Sequence, residues 1–331
     1  MFKKVSLIDT ITIICPNCKS KNVVKKGQRK GKFRIKSLYY CKDCNKRFAD
    51  QALNLKNKIY NPWVIIYAIN CYNLGNTFSQ SSKKVNAKYK VKTSKSTIHF
   101  WVNEYKNFCP VLSMRQNFAG YDDYQNVLFT KRFEHENLDY LFMYHKYKLD
   151  ALSRSSFFGL AKYITDFEKG CPNVFFEVGS RCSNPLFDVK VKAKKQVNLA
   201  CRMAGFAVNA ARKNIQRHKI VEEFMVINDA ATIACEVPVW YWDKKVDAGV
   251  TGHIDMIQIR NNLVYVVDYK PNASKDKNAA SQLYHYALAL SYRTRLPLSS
   301  IRCAWFDKDS YYEYAPLNAG VETKKYLLIL K

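Results

Sequence analysis

The stretch Val250–Lys270 limits what this chain can fold into more than any other. It reads Val-Thr-Gly-His-Ile-Asp-Met-Ile-Gln-Ile-Arg-Asn-Asn-Leu-Val-Tyr-Val-Val-Asp-Tyr-Lys. This is two apolar strands joined by Asn261-Asn262, a dipeptide that tolerates the positive φ angles of a tight hairpin turn. With those two residues as the whole loop, Arg260 faces Leu263, and the ladder sets Asp255 opposite Asp268. Directly opposed residues share a face, about 4.5–5.5 Å apart at Cβ, where like charges destabilise. Strand alternation turns Lys270 to the face of Asp268. Two carboxylates and an ammonium then converge among Ile, Met, Val and Tyr, an arrangement that is costly unless a cation joins it. The pattern predicts a metal-dependent active site.

The rest of the chain has room for more than this one unit. Its 331 residues allow two or three compact parts, and a hydrophobic content of 48% supports real cores. No apolar run approaches the ~20 residues of a membrane span, and Met1–Thr10 lacks the apolar core of a signal peptide. A soluble, cytoplasmic protein without a membrane partner is expected. The net charge of +27 is unevenly spread: residues 1–110 carry 23 Lys plus Arg against 4 acids. A general solubility device would not concentrate charge in this way, so a polyanion partner is expected.

Residues 1–50 hold two CxxC knuckles, Cys15-Pro-Asn-Cys18 and Cys41-Lys-Asp-Cys44, 22 residues apart. Two such loops complete a tetrahedral sulfur site, which predicts structural zinc. The apolar residues between them (Val23, Val24, Phe33, Ile35, Leu38 and Tyr39) are too few for a core, so metal binding would supply much of the stability. A redox role fits poorly, because there are two copies and no βαβ context. Lys25, Lys26, Arg29, Lys30, Lys32, Arg34 and Lys36 also lie in the spacer and would suit phosphate contacts. The segment resembles the zinc ribbons that open many insertion-sequence transposases.

In residues 51–110, Pro62 starts a helix that stops at Gly75, and Thr77 caps a second through about Val85. Ser94 or Ser96 caps a third with Ile98, Trp101, Val102 and Tyr105 on its buried face. Short helices with basic flanks suit a helix-turn-helix, with Lys95, Thr97 and His99 as candidates to face a DNA groove. Residues 111–195 form an aromatic connecting region. Helices are expected around Leu138–Leu149 and Ser155–Phe167, and a short strand over Val174–Val178. Its tyrosines, among them Tyr121, Tyr124, Tyr140, Tyr144 and Tyr147, read first as core packing and second as base-stacking groups.

Residues 196–320 carry the chemistry. A long helix is expected from Leu199 to beyond Lys219, on which His218 and Glu222 are an i, i+4 pair. The strand Cys235–Tyr241, the Asp255/Asp268 hairpin, a helix over Asn278–Tyr292 and the strand Ile301–Phe306 follow. Together they predict an α/β (α+β) unit with a mixed sheet. Asp255 and Asp268 are hard oxygen ligands suited to Mg²⁺ or Mn²⁺, with the Tyr269 carbonyl as a third.

In this order the residues resemble a PD-(D/E)XK nuclease of the RecB-like branch, which has a restriction-endonuclease-like fold. The motifs are His218 on the leading helix, Glu236 in Glu-Val-Pro-Val, Asp255 in Gly-His-Ile-Asp, Asp268-Tyr-Lys270, and Gln282-x-x-x-Tyr286. The resemblance implies metal-dependent phosphodiester hydrolysis on DNA, in a mobile-element, viral or defence setting. It makes His218 a metal ligand and gives Lys270 the water or the charge developing on the phosphate. Glu236 either ligates through water or supports the sheet. Gln282 and Tyr286 position DNA or water, with packing the other reading for Tyr286. Relatives tied to CRISPR systems bear a C-terminal cysteine cluster. Here only Cys303 follows Cys235, so no iron–sulfur centre is expected. His253 neighbours the site and is left out of it. The rival reading is a DNA-binding regulator or assembly factor whose nuclease fold does not cut, and RNA cleavage is a third.

Overall fold

The computed structural model describes Cys15, residues 17–18, 20–30, 35–49, 59–118, 126–135, 138–154, 156–177, 180–185, 187–191, 193–244 and 247–323. Lys32, Phe33, Arg34, Tyr121, Tyr124, Ser155 and Val178, which figured in the sequence reading, lie outside the described residues.

At the N-terminus, β1 (Val23–Lys30), β2 (Ile35–Cys41) and β3 (Arg47–Ala49) make a small antiparallel sheet. Three helices follow: α1 (Pro62–Asn73), α2 (Phe78–Tyr89) and α3 (Lys95–Tyr105). Their starts obey local chemistry. Pro62 stands in the first turn of α1, and Thr77–Gln80 and Ser94–Thr97 form reciprocal capping boxes on α2 and α3. Gly75, at φ +95°, turns the chain between α1 and α2.

The connecting region contributes more strand than its sequence suggests. After the short α4 (Arg115–Phe118), β4 (Leu128–His135) and β5 (Leu138–His145) form a hairpin, and only then does α5 (Lys146–Ser153) begin. The helix expected over Leu138–Leu149 is thus a strand followed by a helix. Met143 and Tyr144 pair with Cys235 and Ala234 of the central sheet, and that pairing fixes the backbone of a run whose apolar pattern suits either state. Next come α6 (Phe158–Asp166) and α7 (Asn173–Glu177). The latter is helical where Val174–Val178 reads as strand; Pro172 precedes its first turn, a position suited to helix entry.

Strands β6 (Ser180–Arg181), β7 (Phe187–Lys190) and β8 (Lys194–Gln196) lead to α8 (Leu199–Ala207) and α9 (Arg217–Asn228). These two helices replace the single long one expected. The Asn209 amide donates to the carbonyls of Gly205 and Phe206, taking up acceptors at the end of α8 and helping to stop it. The remainder is β9 (Thr232–Asp243), β10 (Ala248–Arg260), β11 (Leu263–Tyr269), α10 (Ala279–Thr294), β12 (Ile301–Phe306), β13 (Tyr311–Tyr314) and β14 (Gly320–Thr323).

The chain is a mixed α+β structure around a nine-stranded sheet ordered β4-β5-β9-β10-β11-β12-β13-β8, with β6 added parallel to β10. The meander β9-β10-β11 is antiparallel, and α10 carries the chain across to β12, which runs parallel to β11. Helices cover both faces. On one, Leu160 and Ile164 of α6 and Leu283, Ala287 and Leu290 of α10 pack on Val237, Ile254, Val264 and Val266. On the other, a single apolar cluster joins Ile65, Ile69, Ile98 and Trp101 of the three-helix stretch to Phe206, Phe224, Met256, Val267 and Phe306. Buried amides reinforce that join: Asn228 accepts from Asn73 at 2.6 Å and donates to Asn70 at 2.7 Å. The three helices therefore form one layer with α8 and α9.

Asn261 and Asn262 have φ of +52° and +55°, the double left-handed geometry of a type I′ turn. Asn262→Ile is expected to lower stability by about 1–2 kcal/mol, because a β-branched residue resists positive φ. A lower denaturant midpoint at an unchanged slope would show it, with Asn262→Gly staying near the parent value.

Candidate metal centre

The tight turn fixes the register of the site. Five consecutive pairs run from Arg260↔Leu263 to Met256↔Val267, and Asp255 and Asp268 are next in the same register. Here the ladder opens. On the other side of β10 the pairing with β9 is interrupted between Ile254↔Val237 and Met256↔Cys235. Glu236 fills that gap with left-handed backbone, φ +52°, an uncommon conformation for a residue with a side chain. Such local strain persists only where the surroundings enforce it, and it concentrates at functional sites.

Into this opening α9 delivers His218. Ligand atoms of His218, Asp255 and Asp268 all lie within 4.8 Å of one another. His218 Nε2 is 3.1 Å from Asp255 Oδ2 and 3.9 Å from Asp268 Oδ1. Its other nitrogen, Nδ1, is 2.6 Å from the buried carboxylate of Glu222, one turn along the helix. A carboxylate behind a histidine in this way fixes the ring's orientation and tautomer. Glu222 is the functional candidate missing from the sequence-based set of site residues. Its signal was the i, i+4 spacing to His218, which marks the pair as neighbours and says nothing of burial.

From the other face α10 supplies a hydrogen-bonded row. Lys270 Nζ is 2.8 Å from Asp268 Oδ2 and donates to Gln282 Oε1 at 2.9 Å, while Gln282 Nε2 donates to Tyr286 Oη at 2.8 Å. Six of the predicted residues, His218, Asp255, Asp268, Lys270, Gln282 and Tyr286, are thus connected, and Glu236 stands beside them. Tyr269 lies edge-on to His218, and its backbone N–H donates to Asp255 Oδ2 at 3.1 Å. His253 is elsewhere, stacked on Tyr140 with ring centroids 3.6 Å apart. Space for Tyr286 depends on Gly252: a Cβ there would sit 2.7 Å from Tyr286 Cε1 and 3.0 Å from Cys182 Sγ. Gly252→Ala is expected to cost about 1–3 kcal/mol of stability by overpacking. It should also pull Tyr286 from Gln282, which would appear as a shifted tyrosine side-chain resonance.

The electrostatics are unbalanced. Four carboxyl groups, Glu222, Glu236, Asp255 and Asp268, face two cationic groups, His218 and Lys270. Burial disfavours charge on the His218 ring, but Asp255 and then Glu222 outweigh it and hold its pKa up at about 12. Burial likewise opposes ionised Asp255, but His218 and Lys270 keep that carboxyl below the usual range. Asp268 goes the other way: burial and then the Asp255 charge push it well above the usual carboxylate range. Glu236 is raised by burial and by Glu222 and Asp255. Asp268 is fully buried, and neither of its oxygens has a hydrogen bond of good geometry; Oδ2 has only the Lys270 ion pair. A buried carboxylate so poorly satisfied is the kind of group that a divalent cation neutralises. The two carboxylates are hard oxygen donors suited to Mg²⁺ or Mn²⁺, and the imidazole nitrogen favours the softer Mn²⁺ of the two. The residues fit the ion.

The N-terminal sheet presents a second, different cluster. Cys15 Sγ lies 3.5 Å from Cys44 Sγ, and Cys18 Sγ lies 3.5 Å from Cys41 Sγ, with all four sulfurs within 4.8 Å. Four thiolates at the usual Zn–S distance of ~2.3 Å stand roughly 3.8 Å apart, so the arrangement matches a tetrahedral zinc site. Among the described ribbon residues only Cys15 and Cys41 are buried, and the metal site takes the place of an apolar core. Of the residues proposed to face DNA, Lys95 and His99 are exposed, while Thr97 is engaged in the Ser94 capping box.

Residues 3–50 match the family model described as the PaaD zinc beta ribbon domain. The N-terminal segment is therefore a zinc ribbon, with Cys15, Cys18, Cys41 and Cys44 as its structural zinc ligands. The match names this family and not the transposase ribbons. No curated protein and no solved structure matches the chain. Among the described residues, no helix is long and apolar enough to cross a membrane.

Proposed function

We propose that the chain is a Mg²⁺- or Mn²⁺-dependent deoxyribonuclease that its zinc ribbon and three-helix layer bring to DNA. The observation that carries this reading is the fully buried Asp268 carboxylate, poorly hydrogen-bonded and beside Asp255, His218 and Lys270. The order of motifs adds support, because His218, Glu236, Asp255, Asp268-Tyr-Lys270 and Gln282-x-x-x-Tyr286 follow the RecB-like nuclease pattern. The concentration of positive charge in residues 1–110 supports a polyanionic substrate.

His218, Asp255 and Asp268 would hold the ion, which when bound supplies a Lewis acid for a phosphate oxygen and acidifies a water. The chain's own groups do the rest. Glu222 holds the His218 ring in position for ligation. Lys270, fixed between Asp268 and Gln282, presents an ammonium to charge developing on the phosphate. Gln282 is in turn fixed by Tyr286, so the pair acts by positioning. Glu236 stands at the edge of the cluster, where burial and the charges of Glu222 and Asp255 disfavour its ionised form.

Incubation with supercoiled, linear duplex and single-stranded DNA in Mg²⁺, Mn²⁺ or EDTA tests the proposal. Cut DNA is expected with either metal and none in EDTA. Cutting that persists in EDTA would remove the metal-dependent mechanism. Shifted but intact DNA in every lane would leave the chain as a DNA-binding regulator.

A further inference from the structure

A cavity of about 450 Å³ opens between the three-helix layer and the start of α9. Trp63 and Tyr67 of α1 and Tyr89 of α2 form one wall, while Lys88, Arg212 and Lys219 stand at its rim. Nothing in the metal centre uses these residues. The aromatic rings are half-buried and the three cations are exposed. Lys88 Nζ lies 3.8 Å from the Tyr67 ring centroid, and the Arg212 guanidinium lies 4.4 Å from that of Trp63. Tyr67 and Tyr89 meet edge to face at 5.4 Å.

Helix α9 forms the partition between this cavity and the metal centre. His218 and Glu222 face the centre, and their chain neighbours Lys219 and Glu223 line the cavity. Around the mouth, Lys83, Lys84 and Lys88 are exposed on α2. Arg212, Lys213 and Arg217 are exposed on α9 and the turn before it. Glu223 is the one acid in the lining.

Three aromatic side chains with guanidinium and ammonium groups over their faces suit a flat, π-bearing ligand that also carries negative charge. Base stacking on aromatic and arginine planes, with phosphates on flanking cations, is how proteins hold unpaired nucleic-acid strands. A duplex keeps its bases stacked inside and cannot place one in such a cavity without flipping it. The volume is in the range of small-ligand pockets.

We infer that this cavity holds the base of an unpaired nucleotide and that Lys88, Arg212 and Lys219 bind the phosphates beside it, so that a single strand passes along α9 toward the metal centre. The direction of passage rests on the nuclease reading above; the binding does not.

The test is fluorescence anisotropy in EDTA, where cleavage plays no part, using labelled thymidine oligonucleotides, uridine oligonucleotides and a blunt duplex. Trp63→Leu and Tyr67→Ala are expected to weaken single-strand binding roughly tenfold, while duplex binding stays within about twofold. The exposed positions guard against misfolding: Arg212→Ala, with unchanged circular dichroism, should weaken single-strand binding and flatten its salt dependence by about one phosphate contact. A Trp63- or Tyr67-dependent loss on either the DNA or the RNA strand upholds the proposal. No loss on both strands, or an equal loss on the duplex, overturns it. Tyr67-dependent binding in a protein that cuts nothing would remove the nuclease reading and leave this one. Cleavage without such binding would do the reverse.

Discussion

Asp268→Asn is expected to raise the stability of the metal-free protein and abolish the proposed nuclease activity. The parent side chain is a fully buried carboxyl group with poor hydrogen bonding, beside the carboxylate of Asp255. An amide of the same shape removes that repulsion and can donate to Asp255. With its pKa raised, Asp268 must either bury a charge or take up a proton when the chain folds near neutral pH; a neutral isostere avoids both, which is worth on the order of 1 kcal/mol or more, about 2 °C in a chain of this size. Excess Mn²⁺ should reverse the ranking. At a hundred times its dissociation constant a ligand stabilises its protein by about 2.7 kcal/mol, and the parent alone has the full donor set. Calorimetry in EDTA and in Mn²⁺ should therefore show the two melting curves exchanging order. Cleavage should fall by on the order of a thousandfold, since a metal contributes several kcal/mol of transition-state stabilisation. A variant that melts lower than the parent in EDTA would mean that Asp268 is a structural anchor.

Removing zinc is the second large effect. Among the described residues of the ribbon, burial is confined to Cys15 and Cys41, so the short strands β1–β3 have almost nothing but the metal to hold them. Structural zinc in such units supplies about 10–16 kcal/mol of apparent binding energy, which is also their folding energy. Two of the thiols, Cys15 and Cys41, are prepared for the ion, while Cys18 is held up at about 12. Burial opposes the Cys15 thiolate, but the backbone N–H groups of Cys18 and Asn17 outweigh it and lower its pKa to about 6. A strong chelator should release one zinc per chain, and limited proteolysis should then cut between Val23 and Ala49. Cys15→Ser should behave like the chelated parent. A ribbon that stays protease-resistant without zinc would contradict the account.

The candidate site was legible where the signal is local and the geometry rigid. A two-residue Asn-Asn turn admits one register, and that register alone carries Asp255 to Asp268. Strand parity places Lys270 beside Asp268; the same parity puts His253 on the face of Asp255, and its stacking on Tyr140 could not be read from it. The starts of α1, α2 and α3 were legible for the same reason, since Pro62, Thr77 and Ser94 act on their own turns. What escaped the sequence is decided at long range. Leu138–His145 is a strand because β9 is there to pair with it, and its apolar run alone does not say so. The break between α8 and α9 depends on Asn209 reaching back to two carbonyls. The left-handed Glu236 sits at a gap in the β9–β10 pairing, and the burial of Glu222 follows from the packing of α9. That three helices near the N-terminus share a core with Met256 and Phe306 could be known only from the fold.

The central claim is that His218, Asp255 and Asp268 form a divalent-metal centre. Titration of Mn²⁺ into the zinc-loaded protein, followed by the electron paramagnetic resonance of the free ion, tests it most directly. The parent chain is predicted to suppress the free signal until at least one equivalent is bound, and an Asp255→Asn, Asp268→Asn chain to leave it at full strength. Equal suppression by both chains, or none by either, would contradict the claim.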